Sequence, residues 1–208
     1  WPYASVEIHE TRRKLAEMCG VTHNRIALTE NVTSGCILPL LGLPFSSGDR
    51  LLISDCEHPG VVSACKEIAR RKDLKIDILA VQGLIEGVDK DGKDNSDLLE
   101  NLELSLKTKT KLVVLSHVLW NTGKIMPIKL ITELLHNHKN KPYLLVDAAQ
   151  SFGQIPIKEA ASSADIYGFT GHKWACGPEG LGGVAVSERV LEESQPTLVG
   201  WRSLKTEC

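Results

Sequence analysis

Short apolar runs alternate with amphipathic stretches along the chain, and this alternation predicts an α/β fold in which helices cover a sheet. The predicted strands are Ile26–Thr29, Leu51–Ser54, Leu74–Val81, Leu112–Ser116, Leu144–Val146, Ile166–Phe169 and Val184–Val186. The predicted helices are Ser5–Cys19, one that begins at Asn31 or Val32, Val61–Arg71, Asp97–Leu106 and Pro127–His138. Ser5 is expected to cap the first helix, Pro39 to kink or shorten the second, and Gly83–Asp94 to form turns. Residues 1–208 are predicted to form one domain.

The composition is that of an ordinary globular protein, with 42% apolar and 24% charged residues. A formal net charge of −2 argues against binding to nucleic acid or to an anionic membrane. No apolar run approaches the ~18–20 residues that a membrane-spanning helix needs. The 6 cysteines are scattered and include no C-x-x-C pair, which favours a reducing compartment over a disulfide scaffold. We therefore expect a cytoplasmic protein, or a plastid protein if the organism is a eukaryote.

Polar side chains follow the predicted strands at the points where those strands end. They are Thr29, Glu57, His58, His117, Asn121, Asp147, Gln150, Thr170, His172 and Lys173. Ligands of open α/β sheets bind at the carboxyl ends of the strands. The sequence therefore predicts a ligand site at one edge of the sheet, and the agreement among several strand ends supports it more than any single residue does.

The pair Asp147 and Lys173 indicates what kind of ligand this is. A lysine at a strand end can hold pyridoxal phosphate (PLP) as a Schiff base and later move the α-proton of an amino acid. An aspartate can keep the pyridine nitrogen of PLP protonated, so that the ring accepts electrons. His58 is expected to stack on the ring opposite the small Ala149, and Gln150 to reach the ring hydroxyl. PLP is thus the predicted cofactor.

The phosphate of such a cofactor needs hydrogen-bond donors without bulk. The turn Asn31-Val32-Thr33 opens a predicted helix and supplies backbone N–H groups, a hydroxyl and the positive end of the helix dipole. Thr170 and His172 are expected to complete this phosphate site.

Each of these residues also has an ordinary structural explanation. Lys173 could be a solvated surface lysine, and Asp147 or Thr33 could simply cap the segment that follows. His58 could be a turn histidine, and His117 a core residue hydrogen-bonded to backbone. Together, these alternatives would require several polar strand ends to coincide at one edge by chance.

Two other kinds of site find less support in the sequence. The glycine-rich loop 177–183 lacks the spacing of a dinucleotide-binding loop and precedes a strand instead of following one. Cys56, Glu57 and His58 could supply metal ligands, but no second cluster has zinc-like spacing. No metal site is therefore predicted.

In their order, the motifs resemble those of the class V aminotransferase family, a fold type I PLP group that includes the cysteine desulfurases. The motifs are Glu57-His58, 117–123, 146–151 and 170–173. The stretches 55–60, 119–123, 171–174 and 199–203 are similar to the cyanobacterial-type L-cysteine/cystine C–S lyase branch. The resemblance covers nearly the whole chain. It implies a mostly parallel, mixed sheet flanked by helices, which is the large PLP-binding domain of fold type I.

The resemblance also implies a role for each matched residue. Lys173 would be the Schiff-base lysine, with His58 stacked on the ring as the second catalytic residue. Asp147 would pair with the pyridine nitrogen, Gln150 would contact the ring oxygen, and Asn121 would lie near that oxygen and the substrate carboxylate. The phosphate would be held by Thr33, Thr170, His172 and the backbone of Val32. Because the family forms dimers with active sites at the interface, a homodimer is expected, with residues 199–203 near the partner's site.

The activity implied by the resemblance is PLP-dependent C–S bond cleavage in a cysteine- or cystine-like amino acid by β-elimination. Cysteine desulfurase and class V aminotransferase activities are alternatives, and a catalytically inactive PLP-fold fragment is a further one. Family members are roughly twice the size of such a domain. The small C-terminal domain, with its substrate-binding arginine and the desulfurase nucleophile, is therefore expected to be absent from this chain. Cys176 is expected to have a packing role.

Overall fold

The computed structural model describes residues 2–82, 95–200 and 203 of the chain. Within this part the helices are α1 Pro2–Cys19, α2 Val32–Gly42, α3 Pro59–Lys72, α4 Ser96–Ser105, α5 Ile128–Asn137, α6 Lys158–Ser163 and α7 Glu188–Glu193. The strands are β1 Ile26–Thr29, β2 Arg50–Ser54, β3 Lys75–Leu79, β4 Thr110–Ser116, β5 Tyr143–Asp147, β6 Ile166–Thr170 and β7 Gly182–Val186. None of the helices described in these ranges is long and apolar enough to cross a membrane.

The strands form one 7-stranded sheet in the order β1-β7-β6-β5-β4-β2-β3. Neighbours from β6 to β3 pair in parallel, whereas β7 is antiparallel to both β6 and β1. Because β7 is reversed against both neighbours, β1 runs in the same direction as β6. The carboxyl ends of all these strands except β7 therefore meet at one edge. The predicted mixed, mostly parallel sheet flanked by helices is confirmed.

Helices bury both faces of the sheet, which explains why the strands are continuous apolar runs. Along β4, Leu112 and Val114 contact one core cluster, and Val113 and Leu115 contact the other. We call the first face the one that α2, α3 and α7 cover, and the second face the one that α1, α4, α5 and α6 cover. Side chains alternate between these faces along each strand, so the last residue of a strand has a defined side.

Helix α2 packs closely against the sheet because small residues meet where it crosses β6 and β7. A Cβ atom on Gly35 would lie 2.8 Å from the carbonyl oxygen of Gly183. A Cβ atom on Gly168 would lie 2.6 Å from the Sγ of Cys36. The close packing fixes the first turn of α2 at the carboxyl edge of the sheet. Pro39 lies inside α2, and the helix continues past it to Gly42.

The connection from β6 to β7 is a hairpin, since these antiparallel strands are neighbours. Thr170 pairs with Gly182 at its base, and Gly171 N donates to Leu181 O at 2.8 Å. Both ends of the loop that contains Lys173 are therefore held by the sheet.

The predicted strands are all present, with ends shifted by a few residues. One helix start was wrong: α1 begins at Pro2, so Ser5 lies inside it and is not its cap. Helices α6 and α7 were not predicted, because 6 residues are too few to show a helical period. The predicted turns at 83–94 lie outside the described residues.

Candidate active site

A cavity of about 250 Å³ lies at the carboxyl edge of the sheet, beside the starts of α2 and α3. The strand ends and the two helix starts form its wall. The predicted site residues on this wall are Val32, Thr33, His58, Asp147, Gln150, His172 and Lys173. The two predicted site residues that are not on the wall are Asn121 and Thr170.

Asp147 is the last residue of β5 and a buried acid on the cavity wall. Its side chain lies on the first face, it is only 5% exposed, and its Oδ1 accepts a hydrogen bond from Ala149 N at 2.8 Å. Burial raises the pKa of Asp147, while the Ala149 N–H and electrostatic interactions with Lys173 and His58 act in the opposite direction. A carboxylate in such a place is stabilised by a positively charged partner inside the cavity.

Lys173 lies in the hairpin loop after β6, with its side chain exposed at the cavity. The loop is held by backbone hydrogen bonds from Cys176 N to Lys173 O (3.1 Å) and from Gly177 N to Gly171 O (2.8 Å). Lys173 therefore approaches from a fixed loop and interacts electrostatically with Asp147. A primary amine and a buried carboxylate thus share one small cavity.

His58 has a structural role, as one alternative expected, and it also lies on the wall of the cavity. It is the N-cap of α3, where its Nδ1 accepts from Gly60 N at 3.1 Å, and Pro59 occupies the first helical turn. Its ring also lies on the cavity wall and meets Trp120 edge to face, with centroids 6.1 Å apart. Because Nδ1 is an acceptor in this cap, the proton of the neutral ring is on Nε2.

The first turn of α2 gives the cavity a positive helix end. Asn31 caps the helix by accepting from Ser34 N at 3.0 Å, and Val32 and Thr33 follow on the cavity wall. Across from them, Thr170 Oγ1 is 2.8 Å from His172 Nδ1. Thr170 is fully buried, so it holds the His172 ring and does not itself face the cavity.

Asn121 and His117 lie away from the cavity. Asn121 is exposed in the turn after β4. His117 faces the second side of the sheet, where its Nδ1 is 2.7 Å from the hydroxyl of Tyr167. Burial lowers the pKa of His117 to about 4, so it is neutral at physiological pH. His117 is therefore a core residue, as the structural alternative expected. Its ring hydrogen-bonds to the side chain of Tyr167 and not to backbone.

Ser116 and Glu57 form a buried polar unit, in which the sequence argument had named Glu57 and missed Ser116. Glu57 Oε1 accepts from Ser54 Oγ at 2.6 Å and from Ser116 N at 2.8 Å, and Oε2 accepts from Ser116 Oγ at 2.8 Å. Burial raises the pKa of Glu57 to about 7. Ser116 lines the cavity beside Asp147, its partner in the strand register. The alternation along β4 contained the signal, because Ser116 shares the face of Leu112 and Val114.

The described residues include no group of 3 or more His, Cys, Asp or Glu that could hold a metal ion. Four cysteines in this part of the chain are buried, whereas Cys176 is exposed and has a left-handed φ of 54°. The expected packing role for Cys176 was therefore wrong.

Comparisons with known sequences show the family of the chain. The family model "Aminotransferase class-V" matches residues 3–206. A probable cysteine desulfurase of Pyrococcus abyssi is 27% identical over 199 residues, which are 95% of this chain and 46% of that protein. An isopenicillin N epimerase of Streptomyces clavuligerus is 28% identical over 193 residues, which are 92% of this chain and 46% of that protein. The chain spans about half the length of the curated relatives it matches.

Solved structures share the fold of this chain. The cystine C–S lyase C-DES, in complex with its product cysteine persulfide, superposes with a TM-score of 0.90 at 38% identity, over 100% of this chain and 53% of that one. A lysine-to-alanine mutant of C-DES, with glycine covalently linked to the PLP cofactor, gives a TM-score of 0.89 at 37% identity, over 99% and 52%. The apo cysteine desulfurase of Thermococcus onnurineus NA1 gives 0.80 at 26% identity, over 96% and 47%.

Proposed function

Because the chain belongs to the aminotransferase class-V family, we propose that it binds PLP and cleaves the C–S bond of a cysteine- or cystine-type amino acid by β-elimination. The observation that supports this most is that Asp147 and Lys173 share one cavity. The similarity to the cystine lyase C-DES, at 38% identity over the whole chain, favours the lyase among the activities of the family.

The cavity fits this cofactor on the chemistry of its own residues. Asp147 is a buried carboxylate whose hydrogen-bond partner among the described residues is a backbone N–H, and a protonated ring nitrogen would supply the missing positive charge. The N-terminus of α2, at Val32 and Thr33, is suited to a phosphate group. Gln150 would bind the ring oxygen, and His58 would cover the ring on the side opposite Ala149.

When bound, PLP supplies an electron sink that stabilises negative charge at the α-carbon of an amino acid. Asp147 would sustain this by keeping a proton at the ring nitrogen, because its carboxylate is buried and lies on the cavity wall. Lys173 would hold the cofactor through its Nζ and, when free of it, would take the α-proton of the substrate. His58 keeps water from one side of the site, with its Nδ1 already engaged by α3.

The overall reaction converts cystine and water into cysteine persulfide, pyruvate and ammonia. Cysteine desulfurase activity is the second candidate, because the curated relatives bear that name. It would require a cysteine thiolate of the protein to attack the substrate sulfur and leave alanine. Among the described cysteines only Cys176 is exposed. The two candidates thus differ in whether a protein thiolate attacks the substrate sulfur.

A first experiment tests the attachment of the cofactor. Protein loaded with PLP is reduced with borohydride and digested, and mass spectrometry locates the pyridoxyl group. We expect the label on Lys173 and its loss in Lys173→Ala. A matched control is Lys129→Ala, which should be labelled like wild type. Lys129 is an exposed lysine on α5, and its Nζ lies 2.9 Å from Glu159 Oε1. Protein that stays colourless with PLP, or is labelled equally in both variants, would contradict the proposal.

A second experiment identifies the reaction from its products. Purified protein is given cystine in one reaction and cysteine in another, and pyruvate and alanine are quantified in both. Pyruvate from cystine supports the lyase, whereas alanine from cysteine supports the desulfurase. With neither product from a protein that binds PLP, the inactive-fragment alternative would replace both.

We also propose that the protein is a cytoplasmic homodimer. Large apolar side chains remain exposed near the cavity and in the last described segment, including Trp120, Trp174, Leu198 and Val199. Such side chains are enriched in protein interfaces. The five free cysteines of the described residues suit a reducing compartment. Light scattering of the purified protein tests the dimer, and a monomer at all concentrations would contradict it.

A further inference from the structure

The tryptophan that follows Lys173 makes a directional contact with the cavity wall. Trp174 Nε1 is 2.9 Å from Gln150 Oε1 and donates its hydrogen bond there. An indole nitrogen can only donate, so the carboxamide atom that it meets must be the oxygen. This leaves the NH₂ group of Gln150 as the end available to the cavity that Gln150 lines. The orientation of the amide is thus set from outside the cavity.

The loops that contain these two residues also meet backbone to backbone. Gly153 has a φ of 86°, and a Cβ atom there would lie 2.5 Å from Ala175 N and 2.6 Å from the carbonyl carbon of Trp174. The loop after β5 and the loop after β6 are therefore in contact at a point that only glycine allows. This contact brings the indole within reach of Gln150 whether or not the hydrogen bond forms.

Burial alone does not account for Trp174, since 49% of its surface is exposed. A half-exposed aromatic ring contributes less to the core than a buried one. Its distinguishing feature is the N–H group that it presents to Gln150. Any aromatic residue could supply the remaining contacts, which makes the N–H the feature to test.

We propose that Trp174 is a positioning residue that orients Gln150 as a hydrogen-bond donor to the ring oxygen of the cofactor. This inference rests on the proposed binding of PLP. Trp174 acts through Gln150 and not on the substrate. By the same contact, it ties the Lys173 loop to the loop that follows Asp147, so that the amine and the amide keep one relative position.

The test is Trp174→Phe, which removes the N–H and keeps an aromatic ring. The readout is the pH midpoint of the visible absorption band of the PLP-loaded protein. A donor to the ring oxygen favours the deprotonated form of the lysine-bound cofactor, which has more negative charge on that oxygen. Losing an oriented donor should therefore raise the midpoint, by about one pH unit for a hydrogen bond to a charged atom. Thermal unfolding checks that the variant is folded.

A double-mutant cycle makes the result specific. Gln150→Ala should raise the midpoint as well, and adding Trp174→Phe to it should cause no further shift. An unchanged midpoint in Trp174→Phe would overturn the inference, and so would an equal shift with and without Gln150. If wild type forms no visible band, the proposed function has failed and the inference falls with it. A normal wild-type band with additive shifts refutes the inference alone.

Discussion

Glutamine in place of Glu57 would remove a buried charge beside the cavity while keeping the size of the side chain. Glu57 is 6% exposed and accepts hydrogen bonds from Ser54 and Ser116. In Glu57→Gln, the amide oxygen can still accept from Ser54 Oγ and Ser116 N. The amide NH₂ can donate to Ser116 Oγ, whose hydroxyl hydrogen is free to rotate. The substitution therefore changes the charge and leaves the hydrogen bonds satisfied.

The expected size follows from the pKa of Glu57, which burial raises from 4.5 to about 7. The unfolded chain loses this proton near the lower value and the folded protein near the higher one. Between them the folded protein binds more protons, so its stability falls as pH rises through this window. The shift of 7 − 4.5, about 2.5 pH units, corresponds to at most ~3 kcal/mol. Glutamine cannot ionise, so the variant avoids this loss.

Urea unfolding of both proteins without cofactor, from below pH 4.5 to above pH 7, measures the effect. We expect the stability of Glu57→Gln relative to wild type to increase with pH by up to ~3 kcal/mol. His117, whose pKa burial lowers from 6.5 to about 4, destabilises the protein as pH falls through that range. It is present in both proteins, so it cancels in the difference.

The matched control is Glu159→Gln, which removes an exposed carboxylate paired with Lys129. Its difference from wild type should stay below ~1 kcal/mol at every pH. A pH-independent difference for Glu57→Gln, or one that decreases with rising pH, would refute the account of Glu57 as an acid destabilised by burial.

Three further changes test other parts of the structure. Gly168→Ala places a Cβ 2.6 Å from Cys36 Sγ and should lower the free energy of unfolding by ~1–3 kcal/mol; adding Cys36→Ala should restore part of it, and no recovery would contradict the proposed clash. Asn31→Ala removes the cap of Ser34 N and should cost ~1 kcal/mol in urea unfolding, whereas Asn31→Asp should retain most of the stability. Asp147→Asn should weaken PLP binding by about tenfold or more in a fluorescence titration, because a charge-assisted hydrogen bond is lost; an unchanged dissociation constant would remove Asp147 from the cofactor site.

The strands and their ends were predictable because the sheet is buried on both faces. Such strands are continuous apolar runs, so the polar residues that follow each run mark the carboxyl edge. Asp147 and Lys173 were found in this way, and both lie on the wall of the cavity. The helix start at Asn31 was equally visible, since a capping side chain precedes an apolar stretch.

Which side of the sheet a residue faces was harder to predict than where the strand ends. Ser116 and His117 are adjacent, and a step of one residue moves a side chain to the other face. His117 looked like the better chemical group, but Ser116 is the one on the cavity wall. The position of Asn121, which is not on the cavity wall, was hard to predict for a related reason. It lies in a turn whose backbone closes from Leu119 N to Lys124 O at 2.9 Å, and no periodicity indicates where such a side chain points.

The hairpin between β6 and β7 has a consequence for how this architecture can vary. The residues at the two ends of the loop, Thr170 and Gly182, are paired in the sheet. The distance between these ends is therefore fixed and does not depend on the length of the loop. Residues inserted into the loop would lengthen it without changing the order of the strands. In a βαβ crossover, by contrast, a length change must be absorbed by a packed helix. Lys173 therefore lies on a segment that related sequences can lengthen or trim beyond its turn while the sheet beneath it stays intact.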